Sequence, residues 1–346
     1  MVHDRLEVTR GKPISEFPNY RTVMTELDPF FSKINSWSFT RHRVWNRCQR
    51  QYYYEYIAPY VKTGAVVDPE KIRYLKNFTS KFVVQGQLIH DIIDQQIQFG
   101  CDRKPMDLFE ALSVFMKKVS LYRGVGGETF TEYHNGEKIP DSFFTRIEEN
   151  GKTCLHTFFA KWPEYAKREC LRHEEFDHFF IGNVGVTVKV DFAARMLDGT
   201  IILSDWKTGK DDDEYESELQ MAAYVLWATE FYKMSADEIG TELVFLKTGA
   251  TKPYAFYEEQ LEDTGAKIAE EFAAMNASYE FGDFPARPAQ RECVSCRFAE
   301  VCPEAAKEMC RHGSGDYTKE REVSPGKDFD TIVSGIMEHR EKKSRS

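Results

Sequence analysis

The spacing of apolar residues predicts helices in the N-terminal half of the chain. One helix is expected over about 81–99, because its apolar residues recur at the spacing of a single buried helix face. These residues are Leu88, Ile89, Ile92, Ile93 and Ile97. Most of the aromatic and basic segment 36–60 is also expected to be a helix, ending near Pro59. Residues 100–172 show further helical patterns around a glycine-rich turn at 124–127, and we interpret them as a helical insertion.

The pattern changes after residue 172 from helical spacing to that of β-strands. Three β-rich runs are separated by short Gly, Asn and Asp turns, which predicts an antiparallel meander. An apolar helix to about Lys233, two strands and a helix from Glu258 to about Ser278 should follow. The predicted strands cover 174–181, 185–197, 200–207, 242–247 and 253–257. This order describes one α/β core with a helical insertion.

The two ends of the chain differ from this core. Residues 1–35 have a mixed pattern and are expected to be irregular, whereas 284–310 form a cysteine-rich coil. The tail 311–346 is polar and is expected to be partly disordered. We therefore expect a single domain over 36–310, with the insertion at about 100–172.

Composition narrows the class of protein. Of the 346 residues, 42% are hydrophobic and 29% are charged, which is typical of a soluble globular protein. The net charge is −10, so any nucleic-acid contact needs a local basic surface. No apolar run approaches the ~18 residues of a membrane span. Met1 to Phe17 includes acidic residues and has no apolar core typical of a signal peptide, so we expect a cytoplasmic protein with no membrane partner.

The end of the run 200–207 provides the first candidate chemistry. Side chains alternate along a strand, so Asp205 and Lys207 share one face. On the preceding strand, Asp191 closes the run Val186, Val188, Val190 from the opposite face, at a similar level along the hairpin. Two carboxylates at adjacent strand ends can hold a hard divalent cation. A neighbouring lysine can position a water or stabilise charge that develops on a phosphate. The set suits phosphodiester hydrolysis, while a surface ion pair is the simpler alternative.

Two pairs at helical spacing could complete this site. Gly86 and His90 are one turn apart, which would allow a close backbone approach and a further metal ligand. Gln220 and Tyr224 share a face of the later helix and could contact phosphate or a base. In isolation, a histidine such as His90 is more often a core or surface residue, and an amphipathic flank that packs on the sheet explains Gln220 and Tyr224 equally well.

The cysteines form a second constellation. Eight cysteines in a chain of this length are not disulfide-scaffold density, which directs attention to metal or cluster ligation. Cys293, Cys296 and Cys302 have C-x2-C-x5-C spacing, and a closed zinc or iron–sulfur site needs a fourth thiolate. Both Cys48 and Cys310 are candidates for that position. The remaining cysteines are expected to be core thiols: Cys101, Cys154 and Cys170.

A local basic surface is present despite the acidic total. Residues 41–50 contain arginines and no acidic residue, and aromatic residues lie among and beside them. Arginines for phosphates and rings for bases suit single-stranded DNA, although the rings could instead be core. We expect buried aromatics and arginines that face DNA, Arg43 and Arg47 among them. The acidic run 211–218 should lie away from this track, because it would repel phosphate.

Taken in order, these motifs resemble the RecB-like branch of the PD-(D/E)xK nucleases. The resemblance covers about 36–303 and is strongest to the iron–sulfur members, the CRISPR spacer-acquisition nuclease and the AddB-type helicase–nuclease subunit. It rests on an ordered series of residues: Cys48, His90, Asp191, Asp205-x-Lys207, Gln220-x3-Tyr224 and Cys293-x2-Cys296-x5-Cys302. It implies a restriction-endonuclease-like core, with a mixed sheet flanked by helices.

The same resemblance implies roles for these residues. His90, Asp191 and Asp205 would bind Mg²⁺ or Mn²⁺, and Lys207 would be the catalytic lysine. Gln220 and Tyr224 would lie near DNA. A structural [4Fe–4S] cluster, with zinc as the less favoured occupant, would be held by Cys48, Cys293, Cys296 and Cys302. Two departures are Asp205 in place of the more familiar glutamate and the long insertion. No nucleotide-binding G-x4-G-K-[ST] motif is present.

The sequence therefore favours a metal-dependent DNA nuclease, specifically an exonuclease on single-stranded or free-ended DNA. A helicase or another protein is a possible partner. The alternatives are a DNA-binding or assembly subunit with weak cleavage, and a zinc-stabilised interaction protein.

Overall fold

The computed structural model describes residues 26–101, 104–209 and 214–311. The strands in these residues are β1 (Glu26–Leu27), β2 (Val61–Thr63), β3 (Glu169–Ile181), β4 (Val184–Arg195), β5 (Ile201–Lys207), β6 (Ile239–Phe245) and β7 (Thr251–Tyr254). The α-helices are α1 (Phe31–Ile34), α2 (Phe39–Arg47), α3 (Gln49–Tyr52), α4 (Pro69–Leu75), α5 (Lys81–Cys101), α6 (Leu108–Gly124), α7 (Thr131–His134), α8 (Asp141–Tyr165), α9 (Glu214–Tyr232), α10 (Glu258–Met275), α11 (Gln290–Val294) and α12 (Pro303–Arg311).

A mixed five-stranded sheet with the order β3-β4-β5-β6-β7 carries the site. The pairs β3–β4 and β4–β5 are antiparallel, which confirms the predicted meander. Strand β6 is parallel to β5, because α9 crosses between them as a parallel connection requires. The turn between β3 and β4 contains Gly182, whose φ of 58° is the left-handed conformation that glycine adopts at low cost. Strand β3 begins at Glu169, earlier than the predicted start at 174.

An apolar core lies on each face of this sheet, because successive strand side chains point in opposite directions. On β5, Ile201 and Leu203 join a core formed with α9 and the N-terminal aromatic residues. Trp206 joins the other core, which is formed with α5, α6 and α8. This separation agrees with the predicted alternation along 200–207. The structure is therefore an α/β arrangement with helices on both faces of a mixed sheet.

The aromatic N-terminal segment is not one helix. Ser38 caps the first turn of α2 by accepting a hydrogen bond from the Arg41 N–H. The backbone is extended at Cys48, with φ −162° and ψ 109°, and helical structure then resumes in α3. Residues 26–35 also contain β1 and α1, so the prediction of an irregular segment is wrong there. Residues 1–25 lie outside the described part.

The insertion is helical as predicted, and it is closely packed. A Cβ atom at Gly151 of α8 would lie 2.0 Å from the Phe115 ring of α6, so only glycine permits this contact. The cysteine-rich segment differs from the coil that the sequence predicted. It contains α11, a 3-10 turn at Ala299–Val301 and α12. The tail from residue 312 lies outside the described residues, and none of the described helices has the length and apolarity needed to cross a membrane.

Candidate active site

Asp191 of β4 and Asp205 of β5 lie at neighbouring positions in the interior, directly beyond the last β4–β5 pair, Phe192 with Ser204. Asp205 is 2% exposed, and Asp191 is also buried. The Trp206 N–H donates to Asp191 Oδ2 at 2.8 Å, so the backbone of β5 fixes this carboxylate. The sheet therefore positions both carboxylates that the strand pattern placed at this level.

Helix α5 brings His90 to the same place. The His90 Nε2 atom lies 2.9 Å from the Trp206 carbonyl oxygen, and Nδ1 lies 3.4 Å from Asp191 Oδ1. One turn earlier, a Cβ atom at Gly86 would lie 3.2 Å from Thr208 Oγ1. Gly86 thus allows α5 to approach the end of β5, as the predicted role of this glycine requires.

Glu174 on β3 is a site residue that the sequence interpretation missed. Its Oε1 atom lies 3.0 Å from His90 Nδ1, and its other oxygen accepts a close contact from the Lys189 ammonium. Its φ of 49° is rare for a residue other than glycine. His90, Glu174 and Asp191 each offer one ligand atom, and these atoms lie within 4.8 Å of one another.

A hairpin argument could have identified Glu174. Residues 182–183 form a two-residue turn, and the register runs from Ile181 opposite Val184 to His173 opposite Phe192. This register puts Glu174 across from Asp191. An acidic residue opposite a candidate metal ligand was therefore the available signal.

Burial and mutual charge set the protonation of this cluster. Burial opposes a charge on His90, but the carboxylates of Asp191 and Glu174 outweigh it and hold the His90 pKa well above its usual value. Burial also raises the pKa of Asp191, and the nearby charges of Asp205 and Glu174 raise it further. For Glu174, burial is outweighed by His90 and Lys189, which lower the pKa to about 2.

The second half of the site is a hydrogen-bonded network around Lys207. Its ammonium lies 2.7 Å from Asp205 Oδ2 and donates to Gln220 Oε1 at 2.8 Å. The Gln220 amide in turn donates to Asp205 Oδ1 at 2.9 Å and to the Tyr224 hydroxyl at 2.8 Å. The Tyr224 hydroxyl donates to the Lys189 carbonyl at 2.8 Å. Gln220 and Tyr224 therefore position Lys207 and Asp205, and Tyr224 is too buried, at 5% exposed, to offer DNA a broad surface.

The donor set fits a hard divalent cation. Carboxylate oxygens and an imidazole nitrogen suit Mg²⁺ or Mn²⁺, and the Trp206 carbonyl adds an oxygen beside His90. Repulsion among the carboxylates, which raises the Asp191 pKa, is the imbalance that a bound cation would relieve. Asp205 lies outside the close group of His90, Glu174 and Asp191. Its Oδ1 accepts a hydrogen bond from Gln220, whereas its buried Oδ2 has no hydrogen-bond partner and only pairs with the Lys207 charge, so this oxygen suits a cation.

Four cysteines from distant parts of the chain line one small cavity: Cys48, Cys293, Cys296 and Cys302. Burial raises the pKa of the Cys296 thiol to about 12 and that of Cys302 to about 11. Within the described residues, no three of these sulfurs lie within 4.8 Å of one another, so a tight cysteine cluster is not formed. The side chain of Cys310 lies outside the described part.

Contacts from distant elements hold the cysteine segment in place. Arg50 donates to the Phe284 carbonyl at 2.7 Å, and the Tyr54 hydroxyl donates to the Val301 carbonyl at 3.0 Å. From the insertion, the Asn135 amide donates to the carbonyls of Val294 and Cys296 at 2.8 and 3.0 Å. The insertion is therefore part of the support for this segment.

The arginines of α2 and α3 differ in their exposure. Arg41 and Arg50 are buried and bind backbone carbonyls, whereas Arg43 and Arg47 are exposed. Arg43 Nε lies 3.0 Å from Glu216 Oε2 on α9, one turn before Gln220. Glu216 thus lies against the proposed track, so the expectation that the acidic run lies away from it is wrong at this residue. The flanking aromatics are buried as core, including Trp37 and Tyr52–Tyr54.

Comparison with known protein families assigns the chain to a superfamily. The family model of the PD-(D/E)XK nuclease superfamily matches residues 36–303. The chain therefore belongs to this superfamily, whose nucleases use divalent metals, and membership implies DNA as the substrate. A search of curated proteins returned no match.

Proposed function

We propose that the protein is a Mg²⁺- or Mn²⁺-dependent deoxyribonuclease of the RecB-like type, an exonuclease acting on single-stranded or free-ended DNA. The observation that carries this proposal is the convergence of His90, Asp191 and Asp205 with Lys207 at neighbouring positions of two adjacent strands. The superfamily match covers the whole of this set.

In this proposal, His90, Asp191 and Asp205 hold the cation, and Glu174 adds a carboxylate beside His90. When bound, the cation supplies an activated water and neutralises phosphate charge. Lys207 stabilises the charge that develops on the phosphate, and Gln220 holds the lysine and Asp205 in their relative positions. A ligating imidazole must be neutral, so His90 would lose its proton on holding the cation.

The cysteines support a structural [4Fe–4S] cluster as the second part of the proposal. Around a single zinc ion with Zn–S bonds of about 2.3 Å, tetrahedral sulfurs lie about 3.8 Å apart. The four thiols line one cavity without approaching that closely. A cluster that offers each thiolate its own iron accommodates a wider arrangement. The ligands in this proposal are Cys48, Cys293, Cys296 and Cys302.

The substrate proposal rests on the exposed arginines. Arg43 and Arg47 lie four residues apart on one helix, and Arg43 reaches α9 beside the Lys207 network. They offer phosphate contacts next to the site despite the net charge of −10.

A cleavage assay with matched variants tests the function. Linear single-stranded and duplex DNA, labelled at one end, are incubated with Mn²⁺ and anaerobically purified protein. Wild type should cleave, whereas Lys207→Ala should lose about a hundredfold or more of the rate, because an electrostatic stabiliser is removed. Lys233→Ala is the control, since Lys233 pairs with Glu230 at an exposed helix end.

Cleavage by both variants at the wild-type rate would identify a contaminant. No cleavage by wild type, with an intact cluster and bound DNA, would favour the DNA-binding subunit instead. The label position gives the polarity of cleavage.

A further inference from the structure

The distal half of the β3–β4 hairpin carries two exposed phenylalanines. Phe176 is 70% and Phe180 is 71% exposed. They are four residues apart on β3, so their side chains share one face of the sheet, and the Lys189 ammonium on that face contacts both the Phe176 ring and Glu174. Phe176 lies about 7 Å along the strand from Glu174, and Phe180 about 13 Å beyond Phe176. The two rings therefore form a line that leads outward from the metal site.

On β4, a basic residue lies opposite the first ring and a glycine, Gly185, lies opposite Phe180. Phe176 is opposite Lys189, whose ammonium lies 5.6 Å from the ring centroid, and His178 is opposite Thr187. The His178 ring and the Thr187 hydroxyl are 2.9 Å apart. The surface thus alternates ring, polar pair and ring.

This part of the hairpin is braced. The Trp37 N–H donates to the Gly185 carbonyl, and the Thr187 N–H donates to the Trp37 carbonyl, both at 2.8 Å. Trp37 itself is buried, and its indole N–H donates to Glu271 on α10 at 2.6 Å. Because the backbone is held from the core, the rings are presented on a rigid support.

We propose that Phe176 and Phe180 are a stacking platform for unpaired DNA bases, which leads a single strand into the metal site. The proposal rests on the proposed nuclease function and deepens it by naming where the substrate strand lies. Aromatic rings bind single-stranded nucleic acid by stacking on bases, and nearby cations contact the backbone. Lys189 beside Phe176 supplies such a cation.

A DNA strand fits this surface better than a protein partner does. Protein interfaces have a contiguous apolar centre, whereas His178 and Thr187 separate the two rings here. Of the aromatics in and beside the arginine-rich segment, Trp37 and Tyr52–Tyr54 are buried in the core and Trp45 is half-buried against it, so none presents an open ring as Phe176 and Phe180 do. The line of the two rings also begins beside Glu174, one of the candidate metal ligands.

The test compares rings with matched apolar side chains. Affinity is measured for a labelled single-stranded oligonucleotide in Ca²⁺, a hard cation that takes the same type of oxygen ligand, with a gel to show that the oligonucleotide stays intact. The double variant Phe176→Leu, Phe180→Leu should bind about a hundredfold more weakly, roughly tenfold for each ring. The double variant Phe176→Tyr, Phe180→Tyr keeps the rings and should bind within about threefold of wild type.

Two further readouts separate stacking from other effects. Phe109→Leu is the matched control, because Phe109 is 80% exposed on α6 of the insertion, and it should leave affinity unchanged. The salt dependence should be the same for the leucine variant as for wild type, since phosphate contacts are kept. For blunt duplex DNA, whose bases are paired, the affinities of the leucine variant and of wild type should differ little.

The platform is overturned if the leucine variant binds single-stranded DNA as tightly as wild type does. If wild type still cleaves in Mn²⁺, the proposed function stays in place and a protein partner is favoured for these rings. Wild type that neither binds nor cleaves DNA would overturn both.

Discussion

The candidate metal site and the cysteine segment both contain potential metal-binding side chains, but they are built in opposite ways. The metal site lies on adjacent strands, and its charges are paired with one another, as in the contacts of Lys207 with Asp205 and of His90 with Glu174. The cysteine segment gathers buried and half-buried thiols, and contacts from Arg50, Tyr54 and Asn135 hold it to distant parts of the chain. The first region carries its own counter-ions, whereas the second depends on what joins it to the rest.

The two regions should therefore respond differently to mutation. A sheet with its own hydrogen bonds keeps the metal site in place whether or not a cation is bound. In the proposed [4Fe–4S] site, ligation would join Cys48 to Cys293 and close a long loop, which should restrict the unfolded chain strongly. We therefore expect changes in the metal site to remove activity, and changes in the cysteine segment to remove stability.

The largest expected effect is that of Cys48→Ser. This change should abolish the brown cluster and reduce soluble protein severalfold, because cluster binding is coupled to folding. Asp205→Asn, the matched change in the other region, should fold with wild-type yield and lose cleavage. The measurements are iron content, the absorbance spectrum and yield after anaerobic purification. A fully loaded cluster in Cys48→Ser would show that the fourth ligand is another residue, with Cys310 the first to examine.

The next largest effect is expected for Gln220→Ala. It removes the amide that joins Lys207 to Asp205, so the rate in Mn²⁺ should fall about ten- to a hundredfold through misplacement of these groups. The unfolding temperature should change little. Glu230→Ala, on the exposed end of the same helix, is the control. A wild-type rate for Gln220→Ala would assign the positioning role elsewhere.

A smaller effect on stability is expected for Asn135→Ala. The carbonyls of Val294 and Cys296 lose their donor, which should lower the free energy of unfolding by about 1–3 kcal/mol. The rate at which a chelator removes iron should rise in parallel. Asn150→Ala, which removes a single contact to Gln85, is the comparison within the insertion. Equal stability of Asn135→Ala and wild type would separate the insertion from the cysteine segment.

The smallest effect concerns pH and Glu300. A hydrogen bond from His134 lowers the pKa of Glu300, and Lys71 adds to it against partial burial, which brings the value from 4.5 to about 2. A lowered pKa stabilises the fold above 4.5, and this contribution is lost as pH falls towards 2. Glu300→Gln should therefore melt slightly below wild type at pH 7, and the difference should shrink at about pH 3.5. A constant difference across this range would contradict the assignment.

Local pattern predicted much of this architecture because it depends on short-range periodicity. The buried face of α5, the β3–β4–β5 meander and the opposite orientations of Asp205 and Trp206 all follow from helical or strand spacing. The break at Cys48 could not be predicted, because the surrounding aromatic and basic residues favour a continuous helix. Contacts with residues 284–287, which are distant in sequence, stabilise the extended conformation there.

The candidate site shows the same division. His90, Asp191, Asp205 and Lys207 could be named from the sequence because strand ends and helical turns restrict where such side chains lie. Glu174 was missed because its importance comes from the strand opposite, although the two-residue turn contains that register. The position of Gln220 and Tyr224 near DNA stays a prediction. Their contacts with Lys207 and Asp205 could not be predicted, because they depend on how α9 packs against β5.

Residue identities and spacings were enough to predict the type of core, the nuclease superfamily and every candidate metal ligand except Glu174, because these depend on the order of residues along the chain. The tertiary structure decided which charges are paired, which arginines are buried and which rings remain exposed. Those properties depend on distances between residues that are far apart in sequence, and a local pattern contains no information about them.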